Sequence, residues 1–198
     1  MLGSITPLGE RGRGSRWWLT VMAYVTGSAF AGAVVGGSLG RLGAWAAGGA
    51  GVGARLVLLG AIVAIGLALD LGAVGRPLPT VHRQVDEAWR TRYRGWVWGL
   101  GYGVELGVGV VTIVTTSTVY ATWAAASLSG SISAGAAIGA AFGLSRALPV
   151  FSVARVRRPD QVLRIDAALA SLAAPARRIT YVMGSVLASA AIVRGVRA

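Results

Sequence analysis

The chain has no cysteine, no lysine and a single histidine, His82. Without cysteine there is no disulfide scaffold, no thiolate zinc site and no thiol catalysis. One histidine does not make a metal cluster, so no metal or cofactor is expected. Charge is scarce as well, at 13% of 198 residues against roughly a quarter in an ordinary soluble domain. No GxSxG, HExxH or P-loop motif is present, and the expectation is a non-enzymatic protein. What is plentiful is apolar surface: 55% hydrophobic residues, 30 glycines and a mean hydropathy of +0.65. This is the composition of an integral membrane protein.

The net charge of +12 comes from arginine alone. The arginines recur in short segments between apolar runs instead of forming one basic face, so they read as topology signals and not as a nucleic-acid surface. Five stretches approach the roughly 20 apolar residues that a span needs. They are 17–40 (continuing towards Trp45), 56–75, 96–126, 131–151 and the shorter 179–193. The expected fold is all-α: a polytopic bundle of about five spans, between four and six. Residues 1–16 form a basic tail and 17–198 a single transmembrane domain.

Arginine placement orients the bundle. Arg11, Arg13 and Arg16 precede the first span, five arginines fall in 76–95, and six fall in 154–178. The alternate connections hold only Arg41, Arg55, Arg194 and Arg197. The positive-inside rule puts the N-terminus and the two basic connections in the cytoplasm of a bacterial inner membrane. Trp18 and Trp45 are 27 residues apart, as are Trp96 and Trp123. A helix covers about 40 Å over that interval, so each pair predicts one long helix with an indole at either interface.

The same interval suggests an internal repeat, 17–95 and 96–178, followed by a last span, 179–194. Each copy ends in Arg-Pro (Arg76-Pro77, Arg158-Pro159) and then an amphipathic piece, Val81–Tyr93 or Gln161–Leu172. The second piece has Asp160 as its expected N-cap. Both are expected to lie along the lipid surface.

Gly99, Gly103 and Gly107, and again Gly135, Gly139 and Gly143, form GxxxGxxxG ridges that let helix backbones approach closely. Three charges, Asp70, Glu105 and Arg146, fall inside apolar runs, in the inner half of the bilayer. Arg146 is expected to pair with Asp70 or Glu105, the alternatives being snorkelling to the interface or a proton-coupled pathway. Glu105, Gly109, Thr112 and Thr116 share one face of the third span, with Thr115, Thr118 and Thr122 beside it. Any substrate or ion pathway would use Glu105, Thr112, Thr116, Arg146 and Asp70. Pro149 is expected to kink the fourth span.

The stretch Arg83-Gln84-Val85, Trp89, Arg92-Tyr93-Arg94-Gly95-Trp96, running into Gly99-Leu100-Gly101-Tyr102-Gly103, resembles small multi-pass proteins of actinobacteria. It is also similar to the DsbD-type cytochrome-c-biogenesis transmembrane family, where a Gly-rich start of a span precedes a cysteine motif. The resemblance covers about a quarter of the chain. It implies a membrane scaffold without redox chemistry, because both cysteines are missing, and no functional residue carries over. Two functions follow. One is a scaffold or subunit of a membrane assembly, with the bilayer and other subunits or further copies of itself as partners. The other is a small carrier using Glu105, Arg146 and the threonines.

Overall fold

The apolar runs fold as helices, and among the described residues there is no strand. The computed structural model describes residues 5–12, 14–73, 93–109 and 116–198. Its α-helices are α1 (Pro7–Gly12), α2 (Trp17–Ala46), α3 (Val52–Asp70), α4 (Gly95–Val108), α5 (Thr118–Leu128), α6 (Ile132–Ala147) and α7 (Pro159–Arg197). A 3-10 helix, Leu148–Val153, follows α6. Among the described residues four segments are long and apolar enough to cross a membrane: α2, α3, α6 with its 3-10 extension, and α7. The protein is an all-helical, membrane-embedded bundle.

α2 is the spine, and glycine decides what packs on it. A Cβ on Gly99 would meet the Thr20 carbonyl, one on Gly103 the Tyr24 carbonyl and one on Gly107 the Ser28 carbonyl. Residue numbers rise together in this series, so α4 runs parallel to α2. On another face of α2, Gly32 lies against Gly139, Gly36 against Gly135 and Gly40 against Ser131. Here the numbers run oppositely, so α6 is antiparallel. The Ser28 hydroxyl donates to the Gly143 carbonyl at 2.8 Å, a bond that only such close approach allows. Both ridges read from the sequence therefore lie backbone to backbone on one helix.

A second pair, α3 and α7, is also antiparallel and stands beside this core. Gly53 meets Gly195, Gly60 meets Ala188 and Ile192, and Gly184 meets Leu67. Arg55 ties the α2–α3 turn to itself, its Nη2 donating to the Ala47 carbonyl and its Nε to the Ala50 carbonyl. Its guanidinium also lies against Gly130. Those carbonyls lie at or just beyond the C-terminus of α2, where the helix dipole favours a cation.

The N-terminal residues pack onto the bundle. Glu10 is fully buried and accepts from the Thr20 hydroxyl at 2.8 Å. The Trp17 indole donates to the Ile5 carbonyl at 3.1 Å. With Val21, Tyr24, Trp98, Tyr102, Leu106, Ala147 and Val150 these residues close a core at one end of α2.

Several expectations are corrected. The third span is not one helix. It stops at Gly109, whose φ of +79° is left-handed and open to glycine without strain, and α5 begins at Thr118. Gly99 lies beside Thr20 and Ser127 beside Gly43, so α4 and α5 together still run the length of α2. The Trp96–Trp123 interval is thus not a single helix with an indole at each end. Trp123 is buried, edge-on to Phe142, whereas Trp18 and Trp45 on α2 are 61% and 86% exposed.

The piece Gln161–Leu172 and the last span form one helix of 39 residues, with Pro175 inside it. At about 58 Å it is longer than a bilayer with its headgroups. Asp160 does not cap it. The helix starts at Pro159, the first-turn position where a missing N–H costs least. The Gln161 side chain accepts from the backbone N–H groups of Arg157 and Arg158, and Asp160 pairs with Arg164 at 3.6 Å. At Pro149 the fourth span has already passed from α-helix into the 3-10 helix. Arg76-Pro77 and most of Val81–Tyr93 lie outside the described residues, and the repeat with them.

Candidate functional site

The break in the third span is where two half-buried charges meet the backbone. A helix that stops leaves its last carbonyls and first N–H groups without intrahelical partners. In a bilayer each such group costs several kcal/mol unless something satisfies it. At the end of α4, Arg146 Nη1 donates to the Gly109 carbonyl at 3.3 Å. The same guanidinium stacks over the Phe142 ring at 5.4 Å. At the start of α5, Asp70 accepts from the Ser117 backbone N–H, 3.0 Å to each oxygen. Its Oδ2 also accepts from the Ser117 hydroxyl at 2.7 Å.

The signs are the ones electrostatics requires. A cation sits at the negative end of α4 and an anion at the positive end of α5. Among the described residues Arg146 forms no ion pair with either Asp70 or Glu105. Each charge serves a helix end instead. The sequence shows which charges fall inside apolar runs, but the partner depends on a break it does not reveal.

The remaining site residues separate. Glu105 is half-buried on α4, with no hydrogen bond or ion pair to another described residue. Thr116 is half-buried just before Ser117. Thr112 and Thr115 lie outside the described residues. The Thr122 hydroxyl donates to the Thr118 carbonyl one turn back, at 2.8 Å. Among the described residues α4 ends at Gly109, so Glu105 and Thr118 do not share one continuous helix.

Sequence reasoning missed Ser117 and Glu10. The run Thr115-Thr116-Ser117-Thr118 after Gly109 was the available signal, since clustered hydroxyl residues favour helix starts over helix interiors. Glu10 gave none, being one acid among the arginines of the tail.

A cavity of about 670 Å³ opens beside Ser117, between α3, α5 and α7. Its walls are almost wholly apolar, including Leu59, Val63, Ala121, Met183 and Leu187, with Arg194 at one end. Among the described residues no group of three or more His, Cys, Asp or Glu is placed to hold a metal. No protein-family model, curated protein or solved structure matches this chain. The geometry therefore carries the functional argument alone.

Proposed function

We propose that this is a multi-pass protein of the bacterial cytoplasmic membrane acting as a scaffold or subunit of a membrane assembly, without enzymatic activity. The observation that carries this reading is the use of Asp70 and Arg146. The two ionisable groups best placed to handle a substrate are committed to closing the ends of a broken helix. Among the described residues, what is left, Glu105 and scattered hydroxyls, does not line a continuous path. The long helix α7 supports an assembly role, since most of its side chains remain exposed beyond α3.

Solubilisation in a mild detergent tests the proposal. The expected result is a stoichiometric membrane partner, or a discrete homo-oligomer, that survives size-exclusion chromatography. The carrier reading draws on the interrupted span, a feature of many transport folds. A lone monomer that alone drives proton-coupled uptake into liposomes would overturn the subunit in favour of the carrier.

The orientation has its own test. The α2–α3 turn and the α5–α6 turn share one end of the bundle, where Gly43 lies against Ser127. By arginine placement that end faces away from the cytoplasm. Single cysteines are read without background in a chain that has none. In intact cells, Gly49→Cys and Ser129→Cys are expected to react with an impermeant maleimide, and Ser171→Cys is not. The reverse pattern would invert the topology.

A further inference from the structure

We infer that the cavity between α3, α5 and α7 is a phospholipid site that holds one acyl chain with the headgroup phosphate against Arg194. The inference requires only that these helices lie in a bilayer, whatever the protein assembles with. The walls are dry by construction. Leu56, Leu59, Val63 and Leu67 form the back on α3, and Ala121, Ala125, Met183 and Leu187 form the sides. Of the four hydroxyl residues in the lining, three are engaged elsewhere: Thr122 on the Thr118 carbonyl, Thr180 on the Ala176 carbonyl and Ser117 on Asp70, which leaves the Thr118 hydroxyl. The site presents little but methyl and methylene groups, and water has few partners there.

Dimensions select the occupant. Along α3 the lining runs from Leu56 to Leu67, about 16 Å at 1.5 Å per residue. That is about one leaflet of a hydrocarbon core roughly 30 Å thick. Along α7 it runs from Thr180 to Arg194, about 21 Å. A single extended hydrocarbon chain matches that length, and the lining offers it apolar contact throughout.

Charge fixes the direction. Among the described residues Arg194 is the one charged residue lining the cavity, at the end of α7 where Gly195 meets Gly53. Its long side chain can lie along the apolar wall and hold its guanidinium at headgroup level. A guanidinium at that level matches a phosphate in geometry and sign. The opposite end reaches Ser117 and Thr180, with no cation among the described residues of the lining.

The test uses the full-length protein in vesicles of equimolar palmitoyl-oleoyl phosphatidylglycerol and phosphatidylcholine. A trace of phosphatidylglycerol carrying a diazirine on one acyl chain is added and photolysed. In the parent, crosslinks are expected to concentrate on residues 117–125 and 180–194. Ala121→Trp from one wall and Ala191→Phe from the other are each expected to abolish that labelling. Arg194→Gln is expected to weaken it about five-fold, the ratio for loss of one basic residue near an anionic surface. Crosslinks spread evenly over the apolar helices in the parent overturn the site, and that readout needs no variant to fold. Labelling unchanged in both filled variants, or a tightly retained apolar molecule other than a phospholipid in the purified protein, overturns it equally.

Discussion

Gly139→Ala is expected to destabilise the bundle by about 1–3 kcal/mol or more, the cost of forcing one methyl into a packed core. The new Cβ would overlap the Gly32 carbonyl and lie 3.2 Å from the Gly36 Cα. Both are backbone atoms, so no side chain can swing away. Relief requires α2 and α6 to separate, which would also stretch the Ser28–Gly143 hydrogen bond. The intrinsic helix preference works the other way, favouring Ala over Gly by roughly 0.5–1 kcal/mol. A measured loss is therefore a packing loss. Gly49→Ala is the control, because nothing lies within 4 Å of its added Cβ. Thermal unfolding in detergent, followed by tryptophan fluorescence, is expected to show a lower midpoint for Gly139→Ala and an unchanged one for Gly49→Ala. Equal midpoints would mean that the two helices are not in backbone contact.

The second large effect concerns the two charges at the broken span. Asp70→Leu leaves the Ser117 N–H and hydroxyl without their acceptor, at a cost of about 1–3 kcal/mol for each buried group left unsatisfied. Arg146→Leu removes the donor from the Gly109 carbonyl and its stacking on Phe142. Each single variant is expected to melt below the parent. The double variant decides how the charges work. If they neutralised each other, replacing both would be close to neutral, because no unpaired charge would remain. Because each closes a different helix end, Asp70→Leu with Arg146→Leu is expected to be no more stable than the worse single variant. A double variant restored to the parent midpoint would re-establish the ion pair and remove the capping argument.

Much of this protein is written in composition and spacing. The scarcity of charge, the absence of cysteine and the long apolar runs determine a membrane-embedded, all-helical chain, because unpaired backbone groups do not survive in hydrocarbon. The four-residue glycine spacing at 99–107 and 135–143 marks where helices come closest, since it aligns the missing side chains on one face. Those properties are local, and a sequence displays them directly.

Other features depend on neighbours far away in the chain. That both glycine ridges share α2 follows from a fit between backbones. That the third span breaks after Gly109 follows because Arg146, from α6, and Asp70, from α3, satisfy the ends that the break exposes. An apolar run with threonines is equally compatible with a continuous helix when those partners are out of view. Glu10 is buried for the same kind of reason: the Thr20 hydroxyl and the surrounding packed residues accept a carboxylate that the local sequence places in a solvated tail. Sequence determined which groups are in lipid. Only the tertiary structure decided which partner each polar group has, because in a medium without water that partner must be brought by another helix.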